Sequence, residues 1–514
     1  MGSLTRRQLL AALLGAPLTA RLYGCRPERE PPDSIEGELL GPDLRLGHRL
    51  RQPPPLAAWR DAPQRRTRVA IVGGGPAGLS AAWRLARRGE RDFAVLELDT
   101  KLGGTSRDGR SEVTPYPWGA HYLPVPGRHN HDLRALLTEM GALDERGEPA
   151  EHVLVREPHE RLFFRGYWYP GLYPYAGASP SDLAELSRFR ALTARHAESF
   201  RLPMARSARD RLDLDLVDGA TWLRQNGLRS ERLHWLCDYA CRDDYGLRLE
   251  DTSAWALLFY WAARLEDGKE APLLTWPEGN GALVRHLAQA AGERALTGRL
   301  VAHIEPSQDE VRLAVLNSDG RRERWVAERA ILAVPRFAAT RLVPNLPTEG
   351  FDHGAWLVAN LHLRDRPIGR GVELAWDNVL YDSPSLGYVT ATHQRGRDFG
   401  PTVLTYYLPL CETDSRASRQ ALLAAEHGDL AEAALLDLER AHPSLRSVVR
   451  RLDVWRWGHA MTRPRVGFLL GGARFEAGHP RGRLHFAHSD LSGVALFEEA
   501  FFHGVRAADE VLAA

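Results

Sequence analysis

The chain has 514 residues, too long for one simple hydrophobic core, so two domains are expected. Its composition is 44% hydrophobic and 26% charged with a formal net charge of +1, which suits a soluble globular protein and excludes an electrostatically driven nucleic-acid binder. Four cysteines are too few for a disulfide scaffold, and with only Lys101 and Lys269, lysine chemistry has two candidates.

Residues 1–25 read as an export signal. Thr5-Arg6-Arg7-Gln8-Leu9-Leu10 leads into an apolar run, Leu9 to Ala20, that is too short to span a bilayer. The paired arginines resemble a twin-arginine signal, a route that carries folded proteins, and imply a periplasmic or outer-face location. Leu22-Tyr23-Gly24-Cys25 resembles a lipoprotein processing site, with a lipid on Cys25 as the one expected membrane contact. Residues 26–66, with Pro31-Pro32 and Pro53-Pro54-Pro55, read as a semi-extended tether with little structure of its own.

Val69-Ala70-Ile71-Val72 then predicts a short buried strand, followed by Gly73, Gly75 and Gly78 at G-x-G-x-x-G spacing. Gly73 permits the tight turn, Gly75 lets a pyrophosphate approach the backbone, and Gly78 allows close helix–strand packing. Pro76 and Ala77 complete the loop, and Leu79 to Arg88 then reads as a helix ending at Gly89, with an N-terminus that offers N–H groups to phosphate. Phe93 to Leu96 predicts a second strand. Glu97, 24 residues after Gly73, and its neighbour Leu98 close it, with the carboxylate placed for an adenosine ribose. Gly103-Gly104-Thr105 repeats the close-approach chemistry, and Trp118-Gly119-Ala120-His121 supplies a wall for a flat ring.

Residues 126–275 change to helix-like segments and an aromatic stretch, Phe163 to Tyr175. Cys237 and Cys241, four apart, lie on one face of a predicted helix as core thiols, and no second pair completes a metal site. A meander follows: Leu300–Ile304, Val311–Leu316, an Asp319-Gly320 turn, Arg324–Ala327, then an apolar buried strand over Ala330–Val334. Residues 346–454 mix strands with a helix over Asp429–Ala441. Leu484–Ala487 predicts a last strand leading through Asp490 to a long closing helix from about Leu496. Asp490 can reach a ribityl or pyrophosphate group, and the helix dipole can stabilise charge on a reduced ring.

With both ends in hand, the chain resembles the FAD-dependent amine oxidase superfamily, which includes protoporphyrinogen oxidases and phytoene-desaturase-like enzymes. Gly73, Gly75, Gly78 and Glu97 match its first motif, Gly103-Gly104 its glycine pair, and Leu332-Ala333-Val334-Pro335 its apolar strand before proline. The resemblance implies FAD, an adenine contact through the backbone of Val301, and cofactor contacts from Asp490 and Glu498. It departs at the end of the chain, where Glu499 replaces a glycine and His503 a serine, and the family's flavin-side lysine has no counterpart. Arg456 to Met461 resembles a segment that borders flavin or substrate.

The expected architecture is α/β: a Rossmann-like FAD-binding domain with an inserted β-meander, built from 67–125, 276–345 and 455–514, plus an α+β substrate domain from 126–275 and 346–454. The expected activity is removal of a hydride from a small or lipophilic organic substrate. His121, His459, Asp243, Asp244 and Glu499 are candidates for proton transfer by residue type. A flavin-dependent isomerase or desaturase of a lipid-like substrate, and a binding protein without turnover, stay open as alternatives.

Overall fold

The computed structural model describes residues 35–208, 211–396 and 399–514. The signal, Cys25 and the first part of the tether lie outside the described residues. Two large sheets organise the rest.

The first is seven-stranded, with spatial order 295–296, 93–96, 64–72, 322–332, 311–317 and 299–306, and with 484–486 added on 322–332. Its central strand begins at Gln64, five residues before the sequence predicts, but only Thr67 and Val69–Val72 are buried. The strand pairs in parallel with Phe93–Leu96 and with Arg322–Leu332. The two runs expected at 324–327 and 330–334 are one strand. It exchanges a neighbour along its length, pairing with Val311–Asn317 at its start and with Leu484–Phe486 at its end. Glu328 and Arg329, the polar residues that seemed to divide it, sit where that exchange happens.

Helix Pro76–Arg87 covers one face of this sheet, and the closing helix Phe497–Ala513 packs on it. The approach is very close: a Cβ on Gly504 would lie 2.2 Å from the Ala77 carbonyl oxygen. Only glycine fits there.

The second sheet has eight strands, ordered 39–40, 449–462, 353–363, 402–410, 388–390, 377–380, 160–164 and 167–170. One face, with Leu357, Leu361 and Leu408, packs on helices Ser415–Ala424 and His427–Leu438. The other face carries Trp356, Tyr407, Trp455 and Trp457 toward the segment 116–122. Strand Val449–Thr462 lies wholly in this sheet, so the expected domain boundary at 455 cuts a single element. A helical subdomain, including Glu231–Tyr245 and Ala254–Ala262, builds its own core around Trp255, Phe259 and the buried free thiols Cys237 and Cys241.

The tether expectation fails for residues 35–66. Leu46 and Trp59 are each 1% exposed, and Leu39–Leu40 forms the outer strand of the second sheet. The prolines there shape a packed strap rather than a free linker.

Candidate active site

The glycine loop has the geometry of a dinucleotide cradle. Gly73 adopts φ +106°, and a Cβ there would lie 2.5 Å from the Ala333 carbonyl oxygen. A Cβ on Gly78 would lie 1.9 Å from the Gly73 carbonyl oxygen, which explains the third glycine. Gly75 caps the helix with no side-chain bond to its first N–H groups, and Pro76 occupies its first turn. The first-turn N–H groups are therefore left for a ligand. Gly74 N–H donates to Glu97 Oε2 at 2.6 Å and Asp99 N–H to Oε1 at 2.8 Å, fixing the carboxylate at the end of its strand. Desolvation raises the Glu97 pKa despite these bonds. Leu98 packs behind it, and Val301 sits buried on the neighbouring strand at a bulge before His303.

Gly103 and Gly104 both take positive φ, and Ala120 N–H donates to the Thr105 carbonyl at 3.1 Å. The 116–121 segment is then pinned by the second sheet. Asn360 Nδ2 donates to the Pro117 carbonyl at 3.1 Å, Trp457 Nε1 to Trp118 at 2.6 Å and Tyr407 OH to Gly119 at 2.9 Å. A close backbone, free helix-end N–H donors and an accepting carboxylate at the end of the next strand form one set that fits FAD.

Next to that wall lies a cluster of aromatic rings and acids. His121 stacks on Tyr407 with centroids 5.0 Å apart at 26°, and meets Trp376 at 5.4 Å. Desolvation lowers its pKa to about 3, so it is a neutral imidazole and a weak base. Tyr122 OH donates to Asp243 at 3.3 Å and Tyr239 OH to Asp377 at 3.2 Å. Asp377 is the register partner of Glu160 across adjacent parallel strands. Desolvation pushes Glu160 up to about 7, and desolvation with the neighbouring charges raises Asp377 well above the usual carboxylate range and Asp243 in the same direction. Among the described residues, none of these three forms an ion pair with arginine or lysine.

Several expected roles change. Asp244 is bound to Arg264 at 2.6 Å and serves as that guanidinium's counter-ion rather than as a free base. The Glu499 carboxylate is committed to protein groups. It is fully buried, accepting from Met204 N–H at 2.6 Å and Ser492 OH at 2.5 Å, and so ties the closing helix to the loop at 204. His503 contacts the same serine at 2.9 Å, so the two departures from the family pattern form one buried network. Asp490 accepts from Arg336 N–H at 2.7 Å and His353 Nε2 at 2.9 Å, so its carboxylate is committed to protein groups. His459 stacks on Phe337 at 3.9 Å and is not brought to His121. Glu498, raised to about 7 by desolvation, bounds a cavity of about 470 Å³ together with Arg264.

The sequence reading missed Asp377, Glu160, Trp376 and Tyr407. Only the register between strands 217 residues apart joins Glu160 to Asp377, and no local motif records it.

The family model for flavin containing amine oxidoreductases matches residues 76–512. The chain belongs to that family. It is an FAD-dependent oxidoreductase. Over 96 residues, 18% of this chain and 19% of the relative, it is 36% identical to the peroxisomal N(1)-acetyl-spermine/spermidine oxidase of Bos taurus. The structure of wild-type putrescine oxidase bound to putrescine is similar with TM-score 0.66 and 17% identity, covering 88% of this chain and 100% of that one. A CLA-producing fatty acid isomerase from P. acnes is similar with TM-score 0.61 and 16% identity, covering 86% and 98%. At these identities the solved structures show the fold, and the choice of substrate rests on this chain's own residues.

Proposed function

We propose that this enzyme oxidises an amine that carries a second positive charge. The observation that carries the reading is the trio Asp243, Asp377 and Glu160, none of which forms an ion pair among the described residues; the Arg264 charge reaches Asp243 only from its place on Asp244. Two acids placed directly opposite one another repel when both are ionised. A cationic ligand supplies the missing charge, and an ammonium group in a desolvated site is held more strongly than in water. Tyr122, Tyr239, Tyr407 and Trp376 provide the low-dielectric walls and cation-compatible ring faces. His121, being neutral, adds no competing charge. The acids hold and orient the remote ammonium, and the rings exclude water around the reacting C–N unit. FAD, when bound, takes the two electrons as the amine becomes an imine.

A fatty-acid isomerase reading is disfavoured by the same acids, which repel a carboxylate. Kinetics on 1,4-diaminobutane and on n-butylamine test the proposal. In Asp377→Asn, KM for the diamine should rise about tenfold to a hundredfold, an energy of about 1.4 kcal/mol per decade, while the monoamine value stays put. Equal changes for both amines would contradict it.

We also infer export by the twin-arginine route with a lipid on Cys25, supported by residues 5–25 alone. Mass spectrometry of the mature protein should find its N-terminus at a diacylated Cys25. An unprocessed Met1 would sink the inference.

A further inference from the structure

Residues 35–63 precede the part of the chain matched by the family model, yet they are built into both halves of the molecule. At one end, Leu39 and Leu40 pair in parallel with Val454 and Trp455. Leu452 N–H donates to the Glu36 carbonyl at 2.9 Å and Val454 N–H to Glu38 at 2.8 Å. Glu38 N–H donates to Asp453 Oδ1 at 2.9 Å, and the Glu38 carboxylate meets Arg451 at 2.8 Å. This end belongs to the second sheet, on the strand whose Trp457 holds the Trp118 carbonyl.

The other end is anchored on the meander. Trp59 Nε1 donates to the Val315 carbonyl at 2.9 Å, and His303 Nε2 bonds the Pro54 carbonyl at 2.8 Å. Leu46 and Trp59 are buried with Leu300, Ala302, Ala314 and Leu316, and Leu98 packs against the same cluster. A Cβ on Gly47 would lie 3.7 Å from Leu98 Cδ1, so the strap backs the residue next to Glu97. Asp43 Oδ1 accepts from Leu46 N–H at 2.8 Å and fixes the turn that presents Leu46.

Each end of the cofactor site thus has a different owner. Glu97 and Leu98 belong to the seven-stranded sheet, whereas the 116–121 wall is held by bonds from the eight-stranded one. We propose that residues 35–63 are a cofactor clamp: they fasten the two sheets to each other behind the adenosine end, so FAD cannot leave unless one anchor is broken. The strap acts through Leu98 and the sheet edge, as a positioning element rather than as a contact to the reacting atoms.

Gly37 offers a test outside the nucleotide motif. A Cβ there would lie 1.8 Å from the Leu452 carbonyl oxygen, so Gly37→Val removes the sheet anchor, and Trp59→Ala removes the other. The readout is the rise of free-FAD fluorescence after dilution of the purified holoprotein. Release from the double variant, measured well below its own melting temperature, should be at least about tenfold faster than from the wild type. Wild-type protein with a site for a sequence-specific protease inserted after Arg51, and cut there, gives the same comparison should the double variant fail to fold. Release at the wild-type rate from either protein would overturn the clamp. Failure of the wild type itself to hold FAD would fault the cofactor assignment instead, which keeps the two outcomes apart.

Discussion

Asp377 and Glu160 are uncomfortable in the free protein, and their discomfort has a pH signature. Their folded pKa values lie above those of an unfolded chain, Glu160 at about 7. A raised carboxylate binds more protons folded than unfolded, so its contribution to stability is present at acid pH and is lost as pH climbs to about 7. A cationic ligand reverses the shift by favouring the ionised acids, and its binding releases protons. The dication 1,4-bis(trimethylammonio)butane isolates this effect, since it carries two fixed charges and no nitrogen lone pair. Its affinity, measured by calorimetry, should rise with pH by about tenfold per unit per proton released and level off above about 7. An affinity flat from pH 5 to 8 would mean that these acids do not meet the cation. Asp244 is also raised by desolvation, but its partner is already in place: the Arg264 guanidinium occupies that carboxylate.

Elements were legible in the sequence where local pattern and tertiary role agree. The glycine loop, its flanking strand and helix, the acid at 97, the hairpin at 319–320 and the closing helix all stand where their residues point. Strand 322–332 was misread as two because its polar interruption marks a change of neighbour, which periodicity does not encode. The strand ending at 462 was divided by a domain boundary because its aromatic residues face the cofactor wall while its backbone belongs to the other sheet. Proline made residues 35–66 look like a tether. The opposing signal was Leu46 and Trp59, isolated apolar residues whose partners lie more than two hundred positions away. Glu499 and His503 stand out in the sequence as departures from the family pattern, but the network they share was not legible there, since the hydrogen bonds to Met204 and Ser492 exist only after folding.

At the scale of the whole molecule, the two sheets divide the work. The seven-stranded sheet brings strand Gln64–Val72 and the closing helix Phe497–Ala513 to one glycine loop, the arrangement a dinucleotide needs. The eight-stranded sheet pins the 116–121 wall from outside and sets Asp377 and Glu160 beside it, with Asp243 added from helix Glu231–Tyr245. The strap joins the two. Fold and cofactor follow from the first sheet, and it is shared with enzymes of different chemistry. Substrate charge follows from the second, where this chain's particular residues stand.

The most direct test of the central claim is anaerobic reduction of the bound flavin, followed by its visible absorption. The account predicts that 1,4-diaminobutane bleaches the flavin band, and that at equal low concentration it does so faster than n-butylamine. A flavin that stays oxidised with both amines, yet is reduced by a lipophilic substrate without positive charge, would contradict it.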